Sequence, residues 1–178
     1  MTAVTFSMKR RTFTAGLLSA AAAAARTEHE LYMRLAIEAA RNNPRAPFGA
    51  VIVDRAREQV LASGFNKSSQ NPVWHGEIDA INRCAADHPG IDWKRLTLYT
   101  TAEPCSMCHS AAIWSGMPLV VYGTSILYLR KLGWGQIDLR AEQVSKAAAF
   151  NPVAVVGGVL EKECNALFEA SPISKAKG

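Results

Sequence analysis

The chain has 178 residues, of which 49% are hydrophobic and 20% charged, a composition that builds one globular domain with a sizeable core rather than two. Its formal charge is +5, but three of the 20 basic residues, Lys9, Arg10 and Arg11, lie in a segment expected to be removed, which leaves a net charge near +2 against 15 acidic residues. The remaining basic residues are scattered singly or in pairs, as at Lys94-Arg95 and Arg130-Lys131, and this argues against the clustered basic face that neutralises nucleic-acid phosphates.

Lys9-Arg10-Arg11-Thr12-Phe13 stands ahead of an apolar stretch from Ala15 to Ala25 made almost wholly of Ala, Leu and Gly. Paired arginines before a short, weakly apolar run resemble a twin-arginine export signal, with small residues for cleavage near Ala25. Residues 1–26 are therefore read as an export signal and 27–178 as the mature domain, placed in the periplasm or beyond. The run of about eleven residues is too short for a stable membrane span, which takes ~20. The alternative is an ordinary N-terminal helix on a chain that stays in the cytoplasm.

Thr27 and Glu30 have the spacing of a capping box and predict a helix with an apolar stripe at Leu31, Leu35 and Ala39, ending before Asn42-Asn43-Pro44. Ala50-Val51-Ile52-Val53 and Val60-Leu61-Ala62, split by the charged stretch from Asp54 to Glu58, predict an antiparallel hairpin. A polar loop follows from Phe65 to Pro72. Ile78, Ile81 and Ala85 have helical spacing from His75 to about Asp87, and Leu96-Thr97-Leu98-Tyr99-Thr100 is rich in strand formers. Next come a helix from Cys105 to about Ser115, a strand at Leu119-Val120-Val121-Tyr122, a last strand at Val153 to Val156 and a last helix from Glu161 to Glu169. Strands alternating with helices indicate an α/β layered fold on a mixed sheet.

Two motifs open the two central helices, Trp74-His75-Gly76-Glu77 and Glu103-Pro104-Cys105-Ser106-Met107-Cys108. Three residues apart, Cys105 and Cys108 project to one helix face, and the helix N-terminus favours their thiolate forms. With the imidazole of His75 they make a three-ligand zinc set that leaves the fourth tetrahedral position open, the arrangement of a catalytic rather than a structural site. Glu77, two residues beyond the histidine, is placed to move protons without binding the metal. Folding around a metal before departure suits the twin-arginine route, which carries folded proteins.

His-x-Glu followed by Pro-Cys-x-x-Cys is similar to the signature of zinc nucleobase deaminases, and the likeness runs from about Glu30 to about Thr124, taking in Pro47-Phe48-Gly49-Ala50 and Asn66. The chain is identified on these motifs as a member of the cytidine-deaminase-like superfamily. The resemblance implies a three-layer α/β/α fold around a central five-stranded mixed sheet, assembled as a homodimer or tetramer. It implies zinc on His75, Cys105 and Cys108, Glu77 as the proton shuttle, and Asn66 and the backbone near Ala50 at the substrate, which is a small nucleobase-like ring.

The ring itself is less legible. Phe48-Gly49-Ala50 and Glu103-Pro104-Cys105 resemble bacterial guanine deaminases and tRNA adenosine deaminases, while His75-Gly76-Glu77-Ile78 and Leu98-Tyr99-Thr100-Thr101 resemble fungal cytosine deaminases. Trp114, six residues after Cys108, matches a tryptophan near the base in guanine deaminases and favours guanine, although a packed core tryptophan is the competing reading. Low charge and export both disfavour a tRNA partner. The region from Leu129 to Asp138 departs from the guanine deaminase pattern; Asp138 and Glu142 are candidate substrate contacts there, with exposed surface charges the plainer reading.

Two other classes compete. In a thiol redox protein, Cys105 and Cys108 would cycle with disulfide, leaving His75 and Glu77 unexplained. A non-catalytic zinc-stabilised module would need a fourth ligand, and His109 points about a hundred degrees away from Cys108, towards the surface or the surroundings of the metal. Cys84 and Cys164 read as small buried hydrophobes whose pairing stays open. His29 and His88 read as solvent-facing residues without a role.

Overall fold

The computed structural model describes residues 10–175, with side chains described from 23 to 174. Helix α1 (Arg10–Ala40) is followed by β1 (Gly49–Asp54), β2 (Gln59–Phe65), α2 (Gly76–Asp87), β3 (Leu96–Ala102), α3 (Ser106–Ser115) and β4 (Leu119–Thr124). Then come α4 (Ile126–Lys131), α5 (Ala141–Ala147), β5 (Ala154–Val156), α6 (Glu161–Ala170) and α7 (Pro172–Lys175). The sheet has five strands in the order β2-β1-β3-β4-β5; β1 is antiparallel to both β2 and β3, and β3, β4 and β5 run parallel.

Every residue of β1 and β3 is buried, because helices cover both faces of the sheet. The period-two alternation of a strand sorts their side chains into two cores. Ala50, Ile52, Leu96, Leu98 and Val120 face α2 and α3, where Ala80, Cys84, Ala112 and Ile113 meet them. Val51, Val53, Tyr99 and Val121 face the other way, towards Tyr32, Met33 and Ala36 of α1 and Cys164 of α6. A third cluster, Ala102, Leu129, Trp134 and Phe168, closes the end of β3 and is joined by Phe48 and Ile173.

Several sequence expectations change. Thr27 and Glu30 do not cap a helix start: α1 is continuous from Arg10, the Thr27 hydroxyl donates to Ala23 O at 3.0 Å and Glu30 pairs with Arg26. Of the export-signal residues, Lys9 lies outside the described residues, and Arg10 and Arg11 are described by backbone alone. No helix among the described residues is long and apolar enough to cross a membrane. The short helices α4, α5 and α7 were not expected.

His29 is half-buried, not solvent-facing, with Nδ1 3.0 Å from the Tyr99 hydroxyl, and His88 Nε2 lies 3.1 Å from Leu61 O. His109 is fully buried, its Nε2 2.7 Å from Ser145 Oγ, so it joins α3 to α5 instead of reaching the surface. Cys84 and Cys164 sit in the two opposite cores with the sheet between them.

Candidate active site

The site forms where β1, α2, β3 and α3 converge. Thr101 Oγ1 donates to Pro47 O at 2.9 Å and accepts from Gly49 N at 3.0 Å, which holds the Pro47-Phe48-Gly49 turn against β3. Phe48 O then accepts from Asn66 N at 2.9 Å. A Cβ on Gly76 would stand 2.4 Å from that same carbonyl oxygen, so only glycine lets the start of α2 lie this close to the turn. The histidine and glutamate of the motif flank that contact.

His75 and Cys105 are the N-cap residues of α2 and α3, both with extended backbone, and Cys108 follows in the first turn of α3. The placement directs one imidazole and two sulfurs from two helix starts to one point. The His75 Nδ1, Cys105 Sγ and Cys108 Sγ atoms all lie within 4.8 Å of one another. In a tetrahedral site with Zn–N about 2.0 Å and Zn–S about 2.3 Å, a nitrogen and a sulfur sharing the ion stand ~3.6 Å apart. The two Nδ1···Sγ separations are 3.7 Å to Cys105 and 3.6 Å to Cys108, so the donor set fits zinc.

Proton affinities agree with that fit. A hydrogen bond from Cys108, helped by His75, brings the Cys105 thiol down to about 4, while the shared proton and burial push Cys108 well above its ordinary range. A hydrogen bond to Cys105 raises the His75 imidazole. Cys105 is thus a ready thiolate, while His75 and Cys108 hold protons that a dication at the same point would displace.

Glu77 is buried, and burial first, then the neighbouring Cys105 charge, raises its carboxyl above the ordinary carboxylate range. Thr100 Oγ1 on β3 donates to Glu77 Oε1 at 3.3 Å. A carboxyl with raised proton affinity beside a metal set is suited to accept and return a proton.

Glu77, His75 and Cys105 line a cavity of about 200 Å³. Ala46, Phe48, Asn66, Ser68, Trp134, Gly135, Gln136 and Ile173 complete its lining. Asn66 Oδ1 accepts from Ser68 N at 3.1 Å and from Ser68 Oγ at 2.8 Å, which leaves the amide Nδ2 to donate to a ligand. The polar loop between Asn66 and His75 is pinned by Lys67, whose Nζ lies 2.7 Å from Asp79 Oδ1 and over the Phe65 and Trp74 rings. A larger cavity of about 510 Å³ lies between α1 and the loop after β5, remote from both motifs.

Two expected substrate contacts lie elsewhere. Trp114 is 75% exposed, packs tilted against Phe150 with ring centroids 4.6 Å apart and lines a separate surface depression, because its position on α3 turns away from the cavity. Ala50 is fully buried in the core beneath α2, and Ala46 and Phe48 take its place in the wall. Asp138 pairs with Arg130 at the surface and Glu142 is exposed on α5, as the plainer reading of each had it. Sequence reasoning missed Ser68 and Ile173 and assigned no role to Trp134 or Gln136; glycines on both sides of Trp134 were the available signal.

A model of the cytidine and deoxycytidylate deaminase zinc-binding region matches residues 26–124. The chain belongs to this deaminase family. It is accordingly a hydrolase of carbon–nitrogen bonds in a zinc-binding family, and His75, Cys105 and Cys108 form a cluster that could hold the ion. The family chain is 31% identical to the probable cytosine deaminase of Schizosaccharomyces pombe over 74% of its own length and 85% of the relative's. It is 32% identical to the tRNA-specific adenosine deaminase of Bacillus subtilis over 81% and 88%. Among solved structures, guanine deaminase from Nitrosomonas europaea superposes with a TM-score of 0.69 at 25% identity, over 82% of this chain and 84% of that one. The five-stranded mixed sheet flanked by helices is the fold of these deaminases.

Proposed function

We propose that this deaminase replaces the exocyclic amino group of a small nucleobase-like ring with a carbonyl oxygen, with guanine the favoured ring. The observation that carries the reading is the buried Glu77 carboxyl, raised in proton affinity, lining the same cavity as His75 and Cys105. Glu77 accepts a proton from the attacking water and passes it to the ring nitrogen beside the amino-bearing carbon; it then takes the remaining proton of the added hydroxyl and delivers it to the amine, which leaves as ammonia as the carbonyl forms. One C–O bond forms, one C–N bond breaks, and no electrons are exchanged with an outside donor. Zinc, when bound, supplies the Lewis acidity that makes water nucleophilic near neutral pH. Asn66 Nδ2 offers a hydrogen bond to a ring acceptor, and Phe48 and Trp134, edge to face at 5.2 Å, supply an aromatic wall.

Size and charge favour a free base. The cavity of about 200 Å³ is smaller than the ~300–1,000 Å³ of drug-sized sites. Among the described residues no Lys or Arg lines it, in contrast to what a polynucleotide substrate requires. The likeness to the Nitrosomonas guanine deaminase supports guanine, while the yeast and Bacillus relatives make cytosine and tRNA adenosine the rings to test against it. Ammonia release by zinc-loaded protein from guanine, guanosine, adenine, cytosine, cytidine, aminopterins and aminotriazines, with inosine formation in tRNA assayed alongside, is the test. Release from guanine that disappears in Glu77→Gln supports the proposal. Release from another member corrects the ring. No reaction with any member, at about one zinc per chain, overturns the guanine reading and points to a ring outside the panel or to a retained metal site without catalysis, as in a zinc-stabilised binding module.

The twin arginines Arg10 and Arg11 ahead of the Ala15–Ala25 stretch support export, as does the start of the family match at residue 26, beyond the alanine run. N-terminal sequencing of exported protein should begin near Arg26. The exposed pair Trp114 and Phe150 supports assembly as a homodimer, which sedimentation measures.

A further inference from the structure

Glu103 is 2% exposed, lines the cavity and stands two residues before Cys105. Its carboxylate is engaged from the far side of the sequence. Arg140 Nε donates to Oε1 at 2.8 Å and to Oε2 at 2.7 Å, Ala141 N donates to Oε1 at 2.9 Å and Ile126 N to Oε2 at 2.9 Å. Arg140 Nη2 also donates to the Tyr122 hydroxyl at 3.2 Å. The pairing leaves no oxygen of Glu103 free of a donor, and it places a guanidinium next to a carboxylate that would otherwise add an uncompensated charge to a site already holding Glu77 and two thiols.

The segment leading to Arg140 carries part of the cavity wall. At its start, Trp134 is anchored by its N–H to Leu129 O at 3.0 Å, by Nε1 to Ser174 Oγ at 2.9 Å and by packing on Phe48 and Phe168. Between the anchors, Gly135 and Gln136 face the cavity while Ile137 and Leu139 are 59% and 44% exposed. So short a stretch, poor in buried contacts, takes its position from its two ends.

Building on the deaminase reading, we infer that Arg140 is a positioning residue for the substrate pocket. Its pairing with Glu103 fastens the 134–140 segment, and with it Gln136, to the turn that carries Cys105. Arg140 touches no reacting atom. It sets where this wall stands relative to the metal ligands.

Hydrogen exchange read by mass spectrometry on zinc-loaded wild-type, Arg140→Met, Arg140→Lys and Glu103→Gln protein tests this without reference to any substrate. In Arg140→Met, exchange in 134–140 should rise about tenfold or more, the scale set by losing a charged hydrogen bond, with zinc content and protection in β1 and β3 unchanged. Arg140→Lys should recover part of that protection. With guanine as the assayed ring, KM should rise about tenfold in Arg140→Met while kcat changes less than about threefold. Unaltered exchange in 134–140 overturns the inference. So does a general loss of protection together with zinc, or a fall in kcat without a change in KM, since each marks a merely structural or a directly catalytic role. Inactivity of the wild-type protein on guanine would count against the proposed ring and leave the exchange result to decide the role of Arg140.

Discussion

The hydroxyl of Thr100 meets the carboxyl of Glu77 at 3.3 Å, tying the middle of the sheet to the first turn of α2 beneath the cavity. Glu77→Gln keeps the size and burial of the side chain and removes its ability to carry a proton. Its turnover should fall by about a hundred- to ten-thousand-fold, the usual contribution of a general acid or base, with zinc content unchanged. Thr100→Val should lose far less. Steady-state kinetics beside metal analysis checks both.

Cys105→Ala should behave differently. It removes one of three ligands, so zinc is lost along with activity, and thermal stability falls because metal binding and folding are coupled. Metal analysis and a melting curve, each with and without added zinc, separate this variant from Glu77→Gln: added zinc should raise the melting temperature of the glutamine variant and not that of the alanine variant.

Gly76→Ala places a methyl group 2.4 Å from Phe48 O, a backbone atom that cannot swing aside. Either α2 or the Pro47–Gly49 turn must shift, at a cost of about 1–3 kcal/mol for overpacking. His75 and Glu77 shift with it. Both stability and kcat should drop, which distinguishes this variant from a conservative surface change, and denaturant unfolding with kinetics on the same preparation reads the two effects.

Cys84 and Cys164 should remain free thiols even in an oxidising compartment, since the sheet stands between them and a disulfide needs Cα atoms within about 7 Å. Burial pushes Cys84 up to about 11 and Cys164 up to about 12, so neither is a ready thiolate at neutral pH. Thiol titration of native protein should leave both unmodified, and mass spectrometry after denaturation without reductant should find both reduced.

Burial, aided by the Arg55 guanidinium and opposed by Glu28, holds the His29 imidazole below its ordinary 6.5. A depressed folded value means the unfolded chain takes up the proton first. The stabilising contribution of neutral His29 is therefore fully present above about 6.5 and is lost as pH falls through the lower folded value. Melting temperature should decline over that interval in wild-type protein. His29→Gln, which keeps a partner for the Tyr99 hydroxyl, should decline less; equal slopes would remove His29 as the cause.

The metal set was legible because it depends on short-range geometry. Cys105 and Cys108 share a helix face by spacing alone, and Glu77 follows His75 by two residues in the first turn of α2, so local periodicity and donor chemistry sufficed to name them. The strands were equally legible, since β1 and β3 are buried on both faces, β1 reading as an apolar run and β3 as a run of leucine, tyrosine and threonine strand formers.

What only the tertiary structure decided is which distant residues enclose the substrate. Ser68, Trp134, Gln136 and Ile173 come together from three separate parts of the chain, and helices α4, α5 and α7, of 6, 7 and 4 residues, are too short to leave a periodic signature. Trp114 illustrates the limit from the other side. The resemblance to guanine deaminases implied a place for it beside the base, but the direction in which α3 packs on the sheet sends it outward to Phe150. Motif spacing is a property of one helix, whereas a cavity wall is set by how several elements pack, and that packing is carried by contacts far apart in sequence.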